Sequence, residues 1–208
     1  MSTTILCVGR SVRTAQGAFS SAELEAALEA ERSSAILPYA GRKYNPENLS
    51  VMTGEGEQAA DTLRKLLLPC EAAVTPLLNE IPVRPYRDTE KAYPLEHWLR
   101  KAAAQRRTGN PRQPESREAV RARADALLEE IRGRDCFLIT YPLFLSELLD
   151  RLRVHGFVVQ RTGIMKIQPL ERFLVSRREE HCGGCQHNCF LSNPGCGVGR
   201  EKAMRAGK

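Results

Sequence analysis

The chain has 208 residues, of which 42% are apolar and 27% charged, the make-up of a globular protein with one sizeable core and an appendage. No apolar run is long enough to span a bilayer, and the longest, Cys136 to Leu145, is broken by Pro142. The formal net charge is +6, carried by 24 arginines and 7 lysines, so a polyanionic partner is admitted.

The opening residues, Met1 to Val8, lack the basic region and the small-residue cleavage site of a secretory signal. A cytoplasmic location is therefore expected, where thiols stay reduced. Thr4 to Gly9 reads as a short buried strand ended by Gly9. Ser20 or Ser21 then caps a helix through Glu23 to Glu31, built from strong helix formers. Pro38, Gly41, Asn45 and Pro46 mark a long loop. Leu49 to Thr53 is a second strand, and a glycine turn at Gly54 to Gly56 leads into a helix over Glu57 to Leu68. Its apolar stripe is Ala59, Ala60, Leu63, Leu66 and Leu67.

Ala72 to Leu78 offers a third, short strand. Pro82, Pro85 and Pro94 lead to a helix near Leu95 to Gln105, followed by a polar loop over Arg106 to Pro114. Ser116 to Ile131 is a strong helix prediction, with Val120, Ala124, Leu127 and Leu128 on one side. Asp135 to Tyr141 is the clearest strand, and Leu143 to Val154 the helix after it. Phe157 to Gln160 and Glu171 to Ser176 are two late strands around a connection containing Gly163. This alternation predicts a three-layer α/β/α domain with a mostly parallel sheet. Ligands in such folds gather at the carboxyl ends of strands, here Gly9 to Ser11, Thr53 to Glu57 and Thr140 to Pro142.

After Glu180 the hydrophobic pattern stops and cysteines crowd in. Cys182, Cys185, Cys189 and Cys196 lie within fifteen residues, with His181 and His187 interleaved and glycines at 183, 184, 195 and 197. Thiolates at this density suit a tetrahedral zinc, using four cysteines or three with one histidine. They equally suit a [4Fe–4S] cluster, which needs four thiolates in a glycine-rich loop. The polar surroundings, Gln186, Asn188, Ser192 and Asn193, favour zinc. The spacing x2, x3, x6 matches neither standard pattern. Cys7, Cys70 and Cys136 stand apart and are expected as buried small hydrophobes.

Arginines also concentrate between Arg84 and Arg134, including Arg106, Arg107, Arg117, Arg121 and Arg123. Such a face could meet nucleic acid. Glu115, Glu118, Asp125, Glu129 and Glu130 alternate with them, as on a solvated helix face with local ion pairs.

Taken in order, the strand-to-turn junctions resemble the histidine phosphatase superfamily, typified by phosphoglycerate mutase-like proteins. That family opens with a strand into Arg-His-Gly; here Ile5 to Val8 runs into Gly9-Arg10-Ser11, placing Arg10 at the nucleophile position. The family's next motif holds a phosphate-binding arginine, where this chain has Glu57. Leu78-Asn79-Glu80 fits the family's Leu-x-Glu element, Glu115-Ser116 its Glu-Ser before a long helix, and Arg123 its helix arginine. The second catalytic histidine is replaced by Tyr141. The resemblance implies a histidine phosphatase-like fold whose chemistry is lost. A phosphohistidine mechanism needs an imidazole nucleophile, and Arg10 stays protonated. Arg10 and Arg13 could still hold an anion in the old pocket, although Glu57 and Glu80 would bring negative charge into the same space.

The sequence thus predicts a histidine phosphatase-like α/β domain over residues 1–178 and a cysteine-rich, metal-binding tail over 179–208. A binding or regulatory role follows, with a protein partner or a small anionic ligand and no membrane. The alternatives are a diverged phosphatase, an iron–sulfur redox protein, or nucleic-acid binding through the arginine-rich face and a zinc knuckle.

Overall fold

A computed structural model of the chain describes residues 2–13, 15–161 and 167–177. Strand β1 (Ser2–Cys7) is followed by a two-residue strand β2 (Ala18–Phe19), helix α1 (Ser21–Arg32) and strand β3 (Ser50–Thr53). Helix α2 (Glu57–Leu66), strand β4 (Ala73–Val74) and a 3-10 turn at Pro76–Leu78 come next. The chain continues through β5 (Tyr93–Pro94), α3 (Leu95–Arg107), α4 (Arg117–Glu130) and β6 (Cys136–Thr140). Helix α5 (Pro142–Val154), β7 (Phe157–Arg161) and β8 (Arg172–Arg177) complete the described elements.

The sequence of β6 explains its central place. All five of its residues are buried, as expected of a parallel strand covered on both faces. It pairs in parallel with β1 on one side and β3 on the other, and β4 extends the sheet in parallel beyond β3. β8 then pairs antiparallel with β1, and β7 antiparallel with β8. The order is β4-β3-β6-β1-β8-β7, parallel through its middle and antiparallel at one end.

Because successive strand residues point to opposite faces, the apolar strands feed two separate cores. Ile5, Cys7, Leu138 and Phe173 pack against α4 and α5 through Leu127, Phe144 and Leu148. Leu6, Val51, Phe137 and Ile139 pack against α2 through Ala59 and Leu66. The result is the expected three-layer α/β/α arrangement. The capping chemistry is also legible. Ser20 accepts the Glu23 amide while the Glu23 carboxylate accepts the Ser20 amide at 2.8 Å, a reciprocal box that starts α1. Ser116 caps α4 by accepting the Ala119 amide at 3.2 Å.

Four details differ from the sequence expectations. The strand expected over Ala72 to Leu78 is only β4, because Pro76 has no amide hydrogen to pair and instead opens the 3-10 turn. Helix α2 stops at Leu66, since Leu67 turns extended and bridges to Tyr44, whose amide donates to the Leu66 carbonyl at 2.7 Å. Strands β2 and β5 form a small ribbon of their own, anchored where the Trp98 indole N–H donates to the Phe19 carbonyl at 3.0 Å. Cys7 and Cys136 are buried as expected, but Cys70 is exposed in the turn after Pro69. Gly163 lies outside the described residues.

Candidate functional site

The ends of β1, β3 and β6 converge, as the fold requires, but α2 holds the first of them rigidly. The Gly9 amide donates to the Thr62 hydroxyl at 3.0 Å, and the Gln58 side-chain amide donates to the Gly9 carbonyl at 3.0 Å. Ile36 bridges to Ser11, its amide donating to the buried Asp61 carboxylate at 2.9 Å, and Leu37 donates to the Arg10 carbonyl at 2.8 Å. The backbone from Gly9 to Ser11 is thereby fixed, and the Arg10 side chain is exposed. Arg13 is exposed as well, its amide donating to the Ser11 hydroxyl at 2.9 Å. Neither arginine lines the cavities described next. Glu57 also turns away from them, pairing with Arg64 on the outer face of α2.

Tyr141 and Glu80 are brought together. Tyr141 is buried at the end of β6, and its hydroxyl donates to the Glu55 carbonyl at 2.6 Å. That places a phenol over the turn where α2 begins. Two glycines make room for it. A methyl group at Gly54 would stand 2.8 Å from the Leu78 carbonyl oxygen and 3.1 Å from the Tyr141 ring, and one at Gly56 would stand 3.0 Å from the hydroxyl oxygen. Burial, then the nearby Glu80 carboxylate, pushes the phenol up to about 12, so it acts as a hydrogen-bond donor and not as a base near neutral pH.

Glu80 sits at the start of α5. Its Oε1 accepts the Ile81 amide at 2.9 Å and the Phe144 amide at 3.0 Å, and its Oε2 accepts the Leu143 amide at 3.2 Å. Helix N-termini present free amides and partial positive charge, which makes them anion sites. Here a carboxyl group of the chain itself takes that place. Burial pushes the Glu80 carboxyl up to about 7 against the pull of those three amides and of Arg106. Arg106 is half-buried nearby, and its Nη1 has no hydrogen-bond partner.

Two cavities meet at these residues, of about 210 and 430 Å³, both lined by Arg32, Glu80 and Tyr141. The smaller is walled by Leu28, Ile81, Val83, Leu95 and Leu99, with Gln58 and Glu31 as its other polar groups. The arginines on their walls are already matched. Arg32 pairs with Glu29 at 2.7 Å. Arg123 holds Glu115 through two hydrogen bonds of 2.9 Å and donates to the Leu77 and Asn79 carbonyls. Among the described residues neither cavity is lined by an imidazole, and the two arginines that line them, Arg32 and Arg123, both hold carboxylates already.

Sequence reasoning found Glu80, Tyr141 and Arg123 but missed what each one meets. Gln58, Asp61 and Thr62 fall in the segment compared with the family's second motif, but their bracing of the Gly9 to Ile36 segment was not legible. The available signal was polar residues on the buried side of α2. His97 lies within α3 and His155 caps the end of α5, where it contacts Asp125 at 3.0 Å, and neither lines the two cavities. Among the described residues no group of three or more histidine, cysteine or acidic side chains could hold a metal ion, and no helix is long and apolar enough to cross a membrane. Cys182, Cys185, Cys189, Cys196, His181 and His187 lie outside the described residues.

No family model and no curated protein matches the sequence. Among solved structures, the chain is similar to a phosphoserine phosphatase mutant from Entamoeba histolytica in complex with phosphoserine. The identity is 10%, with a TM-score of 0.51, over 83% of this chain and 89% of that one. It is also similar to the product of an open reading frame of Mycobacterium tuberculosis at 19% identity, with a TM-score of 0.43 over 73% of this chain and 79% of that one. The first likeness bears on the fold, and it agrees with the three-layer arrangement implied by the sequence resemblance.

Proposed function

We propose that this chain is a non-catalytic, histidine phosphatase-like protein with a binding or regulatory role, carrying a metal site in its C-terminal tail. The observation that carries the first part is the Glu80 carboxylate on the amides of Leu143 and Phe144. A side chain of the protein occupies the helix terminus that would otherwise receive an anion. Tyr141 in the position of an imidazole, and Arg123 neutralised by Glu115, point the same way. The small cavity, with its apolar walls and two carboxylates, suits a compact ligand with an apolar body and hydrogen-bond donors better than it suits a phosphate ester.

The test is hydrolysis of p-nitrophenyl phosphate by the full-length protein. No turnover above buffer is expected. Turnover that disappears on Tyr141→Phe or Arg10→Ala would instead make the chain a diverged phosphatase.

For the tail, Cys182, Cys185, Cys189 and Cys196 are the proposed ligands, with His181 or His187 able to replace one thiolate. Four thiolates in a short glycine-rich loop are the donor set that zinc and iron–sulfur clusters select. Zinc is the proposed metal, on the polar character of the surrounding residues. Anaerobically purified protein is expected to be colourless and to contain about one zinc per chain. A brown protein containing iron and labile sulfide would replace zinc with a [4Fe–4S] cluster, and metal-free protein would remove the site.

A further inference from the structure

The arginines concentrated between Arg84 and Arg134 separate into two groups once folded. Arg112 meets Asp88, Arg117 and Arg121 meet Glu147, Arg123 meets Glu115, and Arg132 meets Glu129. These are committed to the fold or to local pairs. A second group faces solvent. Arg100, Lys101 and Arg107 lie along one side of α3 and are exposed. Among the described residues none of the three has an acidic side chain within ion-pair distance.

The positive strip continues onto the loop that enters α3. The Arg87 guanidinium lies 5.2 Å from the centroid of the Tyr86 ring and 5.5 Å from that of Tyr93, and the Lys91 ammonium lies 5.5 Å from Tyr93. Tyr93 stacks in turn on His97 of α3, with centroids 4.7 Å apart and planes 13° from parallel. Cations and half-exposed rings therefore lie side by side around Tyr93 and His97, and Arg107 follows two turns beyond Arg100 on α3, beside a cavity that Glu147 also lines. Partial burial first, and then the charges of Arg100, Lys101 and Arg87, hold the His97 imidazole below its usual value, so these three cations lie close to the ring. The acidic residues nearby are Asp88, already held by Arg112, together with Glu90 and Glu96.

We propose that this side of α3 and the loop before it form a docking strip for single-stranded nucleic acid. In it Arg87, Arg100, Lys101 and Arg107 contact phosphates while Tyr93 and His97 stack against bases. Cations alone would serve an acidic protein equally well. What favours nucleic acid is the ring pair set among them, because every base has a π face and base–aromatic stacking adds to backbone attraction. A run of carboxylates has nothing to place on those rings. A single strand, with unstacked bases, can use both features, whereas a duplex presents only its phosphates.

The test is fluorescence anisotropy of the full-length protein with a labelled mixed-sequence single strand of about 20 nucleotides, titrated at several salt concentrations. The expected result is salt-sensitive binding that weakens about tenfold or more in an Arg100→Ala, Lys101→Ala, Arg107→Ala triple variant. The slope of log affinity against log salt should fall by about 2, since each single-strand phosphate contact contributes about 0.7. A control variant losing the same charge elsewhere, Arg132→Ala, Arg134→Ala, Arg153→Ala, should bind as the unaltered protein does. His97→Leu should weaken binding without changing the salt slope, and Tyr93→Leu should do the same with Trp98 fluorescence confirming an intact fold. Undetectable binding by the unaltered protein overturns the proposal. So does unchanged affinity in the α3 triple variant, or an equal loss in the control. Equal affinity for a poly-glutamate chain of matched charge would assign the strip to acidic proteins and overturn it as well.

Discussion

The Glu80 carboxylate accepts the Phe144 amide at 3.0 Å, so α5 is capped by a side chain sixty-four residues earlier in sequence. This one contact joins the 3-10 turn after β4 to the end of the central strand β6. It also sets the electrostatics of the pocket. A carboxylate held on helix amides gains from the dipole but loses hydration, and the two effects oppose each other.

Burial wins that contest, which gives stability a definite dependence on pH. The folded Glu80 titrates at about 7 and its reference value is 4.5. Between those values the folded protein keeps a proton that the unfolded chain has released. The Glu80 contribution is therefore fully present below about pH 4.5, declines as pH rises, and is gone above about pH 7. The expected size is about 3 kcal/mol across the window. Urea unfolding from pH 5 to 8 should show this decline in the unaltered protein and a flatter profile in Glu80→Gln. Arg106 is the cation that favours the ionised form, so Arg106→Met should move the midpoint of the decline to higher pH.

Tyr141 should prove structural and silent to titration. Its hydroxyl has one carbonyl partner, Glu55, and removing it in Tyr141→Phe is expected to cost about 1 kcal/mol in urea unfolding. The phenol titrates near 12, so ultraviolet difference spectra should show one tyrosine fewer ionising up to pH 11 than in the denatured chain, and Tyr141→Phe should abolish that difference.

The glycines beside Tyr141 should tolerate little. Gly54→Ala places a methyl group against the backbone oxygen of Leu78, which cannot swing aside, and about 1–3 kcal/mol of destabilisation is expected. Gly56 has φ of 101°, so alanine there adds backbone strain to the contact with Tyr141. Thermal unfolding of the two variants checks both expectations, and Gly56→Ala combined with Tyr141→Phe, which removes the hydroxyl oxygen 3.0 Å away, should cost less than the two single losses added together.

What the sequence made legible follows from how local each cause is. β6 announced itself because five consecutive residues are buried, and α1 and α4 because Ser20 and Ser116 cap within one turn. The β2–β5 ribbon was invisible, since it joins Phe19 to Tyr93 through two-residue strands with no room for a period. In the site, Glu80 and Tyr141 stood out only through the sequence resemblance. Their partners did not, because the amides of Leu143 and Phe144 and the carbonyl of Glu55 are backbone groups that any residue would supply. The arginine-rich segment shows the same limit: Arg117 and Arg100 look alike in sequence, and only folding sets Glu147 beside the former.

Arg123 and Glu115 provide the sharpest test of whether the pocket's cations are structural. Their side chains are 15% and 16% exposed, so the pair is largely shielded from water and its geometry is bidentate. The guanidinium also lies 4.2 Å from the centroid of the Phe144 ring and ties down the Asn79 carbonyl at 2.8 Å, next to Glu80. Arg123→Ala leaves Glu115 shielded without a partner and frees two carbonyls, for an expected loss of about 2–4 kcal/mol. Lysine cannot reproduce the fork, so Arg123→Lys should recover less than half of that. If Arg123 instead served a bound anion, the same variants would unfold like the unaltered protein in plain buffer and differ only when phosphate was added. Urea unfolding with and without inorganic phosphate separates the two outcomes, and a phosphate-independent loss is expected.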